Sequence, residues 1–88
     1  MKHVNIKIFG DVQGVLFGYS SLLKAKEFNI KGFVRNEPDG TVYIEVEGEE
    51  ENLDKFTQWC RSGPQSATVK KVEEAEGELK NFESFITL

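Results

Sequence analysis

The sequence lacks several features that would place it in common functional classes. It contains one cysteine, Cys60, and one histidine, His3, so neither an internal disulfide nor a cysteine pair for metal transfer is available. No apolar run approaches the roughly 20 residues that a membrane-spanning helix requires. The first residues also show no apolar stretch typical of a signal peptide. We therefore expect a cytoplasmic protein with no membrane partner.

Positive charge is also scarce. The 88 residues carry 15 acidic against 11 basic side chains, and the net charge is −4 with the histidine neutral. Binding to a nucleic-acid backbone requires a net basic face, which this balance disfavours. A small phosphorylated ligand needs only a local positive site, so that ligand class stays open. The content of 39% hydrophobic and 30% charged residues fits one globular domain over residues 1–88.

Strands are predicted where apolar residues alternate with others along the chain. The pattern is clearest in residues 4–9 and 42–47, where every second residue is Val or Ile. The intervening residues of the second segment, Tyr43, Glu45 and Glu47, predict a polar outer face. Further strands are predicted over residues 30–36, 67–73 and 81–87.

Two helices are predicted between these strands. The first follows a turn-like segment at residues 10–14, and its expected buried line comprises Leu22, Ala25 and Asn29, with Leu23 beside them. The second opens at Gly48, and its expected buried line comprises Leu53, Phe56 and Cys60. Cys60 on this line is interpreted as a buried structural thiol. The order βαββαβ with a short closing strand predicts an α+β ferredoxin-like sandwich, an antiparallel sheet with two helices on one face.

The segment between the first strand and the first helix is the candidate for chemistry. Gly10 and Gly14 let the backbone of this loop bend and approach a ligand closely. The start of the following helix presents unpaired N–H groups and a positive partial charge. Together these features predict an anion-binding cradle, although the same spacing is common in plain connections.

The residues of this loop resemble the acylphosphatase signature. From Gly10 to Phe17 the chain has the pattern G-x-V-Q-G-V-x-F, and from Gly32 to Asn36 it reads G-F-V-R-N. The resemblance covers essentially the whole chain. It implies an enzyme of the acylphosphatase family, which hydrolyses the mixed anhydride of a carboxyl group and phosphate without a metal or an organic cofactor.

The resemblance also implies the roles of individual residues. Asn36 matches the asparagine whose side chain positions the attacking water. The backbone N–H groups that would hold the phosphoryl group are those of Gln13, Gly14, Val15, Leu16, Phe17 and Gly18. The implied ligand is a small acyl phosphate or inorganic phosphate or sulfate, and nothing suggests more than a monomer.

One position departs from the family motif. The family has an arginine directly after the phenylalanine of the loop, whereas this chain has Gly18. Losing two charge-assisted contacts to phosphate would cost about 3–6 kcal/mol, or on the order of 10²–10⁴ in transition-state binding. Lys7, Lys24 and Arg35 are near the motifs, but none is an obvious replacement. Arg35 directly precedes Asn36, so in a regular strand its side chain faces the opposite side.

Two functions of different classes therefore stay open. The first is an acylphosphatase-like hydrolase whose activity is impaired at Gly18. The alternative is a catalytically inactive module of the same fold that binds an anion or a protein partner. Asn36 alone would also suit a turn residue, and the motif favours its water-positioning role. The acidic run at residues 49–51 is interpreted as a solvated helix start and not as a metal site.

Overall fold

The computed structural model describes residues 1–14 and 17–88. These residues form five strands and two helices in the order β1, α1, β2, β3, α2, β4, β5. The elements span Lys2–Asp11 (β1), Phe17–Glu27 (α1), Lys31–Asn36 (β2), Val42–Gly48 (β3), Glu50–Ser62 (α2), Thr68–Gly77 (β4) and Phe85–Thr87 (β5). Neither of the two described helices is long and apolar enough to cross a membrane.

The five strands form one sheet in the order β4-β1-β3-β2-β5. Neighbouring strands are antiparallel except for the last pair, in which β5 runs parallel to β2. Side chains from both helices and from one face of the sheet join a single hydrophobic core. The predicted ferredoxin-like sandwich is therefore confirmed, with a closing strand that makes the sheet mixed.

The core lies between the sheet and the two helices. Ile6 and Ile44, which belong to the alternating segments of the sequence, are fully buried there. Helix α2 contributes Leu53, Phe56 and Cys60, as its periodicity predicts. Burial raises the pKa of the Cys60 thiol well above its ordinary value, which keeps it protonated and fits a structural role.

Helix α1 buries only part of the line predicted for it: Ala25 is fully buried and Leu22 packs against the core. Its buried residues are Phe17, Ser21 and Ala25, whereas Leu23 is 48% exposed. Asn29 lies beyond the end of the helix with a φ of 54°. Ser21 can occupy the core because its hydroxyl donates a hydrogen bond to Phe17 O at 2.7 Å. The apolar pattern did not indicate Ser21, because a buried residue with a hydroxyl interrupts the apolar line that faces the core.

The outer face of β3 is polar, as predicted, but two of its carboxylates are buried. Glu45 and Glu47 are 6% and 4% exposed, and the neighbouring His3 of β1 is 1% exposed. Residues 78–84 cover them, because this segment connects β4 at one edge of the sheet with β5 at the other. The face opposite the helices therefore carries an ionic cluster, defined by the buried His3, Glu45 and Glu47 and the exposed Lys80.

Glu47 is the centre of this ionic cluster. The backbone N–H of Phe82 donates to its Oε1 at 3.0 Å, and the backbone N–H of Lys80 donates to its Oε2. Nδ1 of His3 lies 2.7 Å from Glu47 Oε2, and Nε2 of the same ring lies 3.1 Å from Glu45 Oε1. The Lys80 ammonium donates to Glu45 at 2.8 Å. The contacts of Lys80 and Phe82 hold residues 78–84 against the sheet.

The ionic cluster favours the charged form of both carboxylates. Burial alone would raise the pKa of Glu47, but hydrogen bonds from Lys80, His3 and Phe82 hold that pKa below its ordinary value of 4.5. Burial likewise opposes ionisation of Glu45, and hydrogen bonds from Lys80 and Tyr43 lower its pKa. A carboxylate whose pKa is lower in the folded state contributes its full stabilisation above the unfolded pKa. That contribution is lost as the pH falls through the folded pKa.

Replacing Glu47 by Gln is expected to lower the free energy of unfolding by about 2–3 kcal/mol, because charge-assisted hydrogen bonds are lost and an amide N–H₂ would face donors. Urea unfolding near neutral pH, followed by circular dichroism, measures the change. Glu83→Gln, at an exposed position of residues 78–84, is the matched control and should change stability by less than about 0.5 kcal/mol. Equal effects at the two positions would contradict the role given to the ionic cluster.

Acidification is expected to destabilise the native protein as the pH falls below the ordinary carboxyl pKa of 4.5, because Glu45 and Glu47 become protonated. The Glu47→Gln variant should lose less stability over the same interval, since it has one titrating group fewer. Thermal unfolding across this pH range compares the two proteins. Parallel losses in both would show that Glu47 contributes nothing to the acid sensitivity.

Candidate active site

Four of the predicted site residues, Gly14, Phe17, Gly18 and Asn36, line one cavity at an end of the sheet. This cavity, of about 210 Å³, lies between the end of β1, the start of α1, the end of β2 and the last residues of the chain. It is lined by Val12, Gly14, Phe17, Gly18, Val34, Arg35, Asn36, Thr87 and Leu88. The cavity thus brings together Gly18 and Asn36, which are far apart in the sequence.

A larger recess, of about 580 Å³, lies beside β1 and β4 on the face opposite the helices. Its charged side chains already have partners, since Lys7 lies 3.2 Å from Asp39 and Glu73 lies 3.0 Å from Lys71. None of the described residues of the glycine loop lines this recess. The smaller cavity is therefore the candidate site, because it combines the loop with Asn36.

The backbone conformation of the loop requires glycine at positions 10 and 14. Gly10 has a φ of +135°, and a Cβ at this position would lie 2.1 Å from Thr68 O of β4. The pairing of β1 with β4 shifts register at the same point, so Gly10 permits a bulge and a close approach of two strands. Gly14 has a φ of +72°, in the left-handed region that favours glycine, and turns the chain beside the cavity.

The first turn of helix α1 borders the cavity. Phe17 is buried, and its ring centroid lies 5.4 Å from that of Trp59 in α2, so its side chain anchors the helix start in the core. The first turn contains no acidic side chain that would compensate the positive end of the helix dipole. Val15 and Leu16, for which the sequence predicts phosphate-binding amides, lie outside the described residues. The described start of α1 is thus suited to an anion.

Gly18 borders the cavity with space for a larger side chain. A Cβ at this position would lie 3.8 Å from Thr87 Cγ2 and 3.8 Å from Val34 Cγ1, which are ordinary contacts. The φ of Gly18 is not in the left-handed region, so the backbone does not require glycine. A longer side chain could therefore leave the helix toward Asn36.

Asn36 is the last residue of β2, and its neighbour Arg35 faces away from the site. The Arg35 guanidinium lies 4.9 Å from the ring centroid of Tyr43 and 3.2 Å from the Glu37 carboxylate. This arrangement follows the alternation of side chains along a strand. Arg35 is among the residues that line the cavity, and its guanidinium contacts Phe33, Tyr43 and Glu37 on the open face of the sheet.

The two lysines considered as replacements for an arginine at position 18 also have partners elsewhere. Lys7 lies 3.2 Å from the Asp39 carboxylate, and Lys24 lies 3.4 Å from Glu27 on the same helix. Neither lysine lines the cavity. Each of the three basic side chains considered as a replacement, Lys7, Lys24 and Arg35, therefore has its charge paired with a carboxylate.

The sequence did not predict that Thr87 and Leu88 form part of the cavity lining. Thr87 and Leu88 line the cavity because β5 pairs in parallel with β2, and Leu88 N–H donates to Val34 O at 2.8 Å. The last residues are apolar or small and belong to no motif. Only their pairing beside β2 places Thr87 next to Gly18.

The described lining of the cavity has a simple chemistry. It contains no Asp, Glu, His or Cys. Apart from Arg35, whose guanidinium pairs with Glu37, its polar groups are backbone amides, the Asn36 amide and the Thr87 hydroxyl. Such groups can bind an anion and orient water, but they include no ordinary general acid or base. The site therefore suits a reaction in which the leaving group departs without receiving a proton.

Comparison with known proteins now identifies the class to which this fold and site belong. The sequence profile of the acylphosphatase family matches residues 4–87. An acylphosphatase of Archaeoglobus fulgidus is 50% identical over 82 residues, which are 93% of this chain and 92% of that protein. The chain belongs to the acylphosphatase family.

Solved structures agree over nearly the whole length. The crystal structure of an acylphosphatase from Bacillus subtilis superimposes with a TM-score of 0.97 and 30% identity, covering 100% of this chain and 99% of that one. The structure of an acylphosphatase from Coxiella burnetii gives a TM-score of 0.95 and 30% identity, covering 99% and 92%. The ferredoxin-like architecture is thus shared with these two proteins.

Gly18→Ala is expected to raise the free energy of unfolding by up to about 1 kcal/mol, because alanine favours the helix and its Cβ meets only ordinary contacts. Gly10→Ala is the contrasting change and should lower that free energy by about 2–4 kcal/mol, since its Cβ would clash with Thr68 O. Urea unfolding of both variants measures these effects. Destabilisation by Gly18→Ala would show that position 18 does not accept a side chain.

Proposed function

We propose that this chain is an acylphosphatase-like hydrolase of low activity that cleaves carboxyl-phosphate anhydrides. The observation that carries the proposal is that Gly14, Phe17, Gly18 and Asn36 line one cavity at the start of α1. Membership of the acylphosphatase family supports the reaction class. Every residue that the proposal uses belongs to one chain, so a monomer suffices.

The reaction matches the chemistry of the cavity lining. A water oxygen attacks phosphorus, and the bond between phosphorus and the acyl oxygen breaks. The electron pair of that bond leaves with the carboxylate, and the product dihydrogen phosphate keeps the water oxygen and both of its protons. A carboxylate is a stable leaving group because the pKa of its acid is about 4. It therefore needs no general acid, and the described lining supplies none.

The protein contributes positioning and electrostatic stabilisation. In the proposal, the backbone N–H groups of Gln13, Gly14, Phe17 and Gly18, with those expected of Val15 and Leu16, bind the phosphoryl oxygens. The positive end of α1 stabilises the negative charge of the transition state. The Asn36 side chain orients the water for attack in line with the leaving oxygen. Phosphoryl transfer depends mainly on such contributions.

The activity is low because position 18 supplies no positive charge. A guanidinium binds two phosphoryl oxygens with charge-assisted hydrogen bonds, which a glycine cannot replace. The contacts of Lys7, Lys24 and Arg35 support this, since each pairs with a carboxylate and neither lysine lines the cavity. The same observation favours a second candidate function, a binding module that holds an anion without hydrolysing it.

Gly18→Arg is expected to raise kcat/KM for benzoyl phosphate by about 10²–10⁴-fold, because it restores two charge-assisted contacts to the phosphoryl group. Adding Asn36→Ala should remove most of that gain, since the attacking water loses its partner. Leu23→Arg, at an exposed position of the same helix, is the matched control for the added charge and should give no gain.

The outcomes separate the two candidate functions. Hydrolysis by the native chain that disappears with Asn36→Ala supports the weak enzyme. Hydrolysis that appears only with Gly18→Arg supports the binding module, whose cavity is intact but lacks the charge. Absence of hydrolysis in both proteins, together with no phosphate-induced shift of the Gly14 amide signal in NMR spectra, would overturn both candidates.

A further inference from the structure

The side chain of Gln13 links the glycine loop to the turn that follows Asn36. Its Nε2 lies 2.7 Å from Glu37 O and 2.8 Å from Thr41 O. Only the nitrogen of the amide can donate to two carbonyl oxygens, so the chemistry of the partners defines which way the side chain points. The link joins residues that are 24 and 28 positions apart in the sequence.

The two acceptor carbonyls belong to a turn that is already closed by its own hydrogen bonds. Glu37 N–H donates to Thr41 O at 2.9 Å, and Gly40 N–H donates to Glu37 O at 3.1 Å. The Asp39 carboxylate accepts the hydroxyl of Thr41 at 2.6 Å and its N–H at 3.0 Å. Gln13 therefore binds an ordered turn, and a fixed partner can hold the loop in one place.

Asp39, which accepts both hydrogen bonds from Thr41, favours its ionised form. Hydrogen bonds from the Thr41 hydroxyl and N–H, with one from Lys7, lower the pKa of Asp39 to about 2. The carboxylate that holds Thr41 is therefore ionised at any pH at which the site would be assayed. Changes seen on replacing Gln13 near neutral pH can then be assigned to Gln13 itself.

The sheet does not join the two sides of the site directly. The loop follows β1 and Asn36 ends β2, and these strands are not neighbours because β3 lies between them. Gln13 directly precedes Gly14, and Glu37 directly follows Asn36; Gly14 and Asn36 both line the cavity. The hydrogen bond from Gln13 to Glu37 O thus connects the two sides directly, past the start of β3.

We propose that Gln13 is a positioning residue, whose side chain sets the place of Asn36 relative to the loop that holds the phosphoryl group. This role is distinct from that of its backbone N–H and rests on the proposed function of the cavity. In-line attack requires the water and the phosphoryl group to be aligned, and a displacement of about 1 Å can cost on the order of 10²-fold in rate. A direct bond between the two sides supplies that alignment.

Amide hydrogen exchange tests the link without any activity. Gln13→Ala and Gln13→Met both remove the two donated hydrogen bonds, and Met keeps the length of the side chain. Each is expected to accelerate exchange at the Glu37 and Gly40 amides by at least about 10-fold. Gln58→Ala, at an exposed position of α2, is the matched control and should leave them unchanged. Unchanged exchange in both Gln13 variants would overturn the link.

Kinetics in the Gly18→Arg background test the positioning role. Gln13→Ala is expected to lower kcat for benzoyl phosphate by about 10–100-fold and to change KM by less than about 3-fold. The loss should disappear when Asn36 is already alanine, because Gln13 acts through Asn36. A loss of equal size with and without the Asn36 side chain would show a general structural effect and overturn the positioning role.

The failure of the proposed function would be visible separately. Gly18→Arg without hydrolysis, before any change at Gln13, would overturn the hydrolase but not the link. Inorganic phosphate is then the probe, and the side-chain amide signal of Asn36 in NMR spectra is the readout. Gln13→Met should reduce the phosphate-induced shift of that signal by at least half. An undiminished shift would overturn the positioning of Asn36 by Gln13.

Discussion

The candidate site depends on the antiparallel pairing of β3 with both of its neighbours. Val42, at the start of β3, lies opposite Ile8 of β1 on one side and opposite Asn36 of β2 on the other. Val42 and Ile8 are fully buried under the helices, so hydrophobic burial fixes this register. The chain that leaves β1 therefore emerges beside the chain that ends β2. The glycine loop reaches Asn36 for this reason.

The other end of the sheet supports the site indirectly. There the ionic cluster holds residues 78–84 against the face of the sheet opposite the helices. This segment connects β4 with the opposite edge of the sheet. Only after that crossing can β5 pair with β2 and place Thr87 beside Gly18. The buried carboxylates of β3 thus contribute to a wall of the cavity that they do not touch.

Gly18 leaves the backbone arrangement of the candidate site intact but supplies no positive charge. Gly14, the start of α1 and Asn36 line one cavity, while position 18, which has room for a larger side chain, carries no positive charge. The positive end of a helix is equivalent to roughly half an elementary charge, whereas a guanidinium supplies a full charge and a planar pair of donors. The proposed low activity follows from that difference.

The sequence by itself determined the order of elements, the buried faces of β1, β3 and α2, and the motif residues such as Asn36. These features are encoded by periodicity or spacing within short stretches of chain. The tertiary structure decided the burial of Glu45 and Glu47, the direction of β5 and the partners of Gln13. Each of these depends on contacts between segments that are distant in the chain. Such contacts follow from how strands pair and cross in three dimensions, and they leave no periodic signal along the chain.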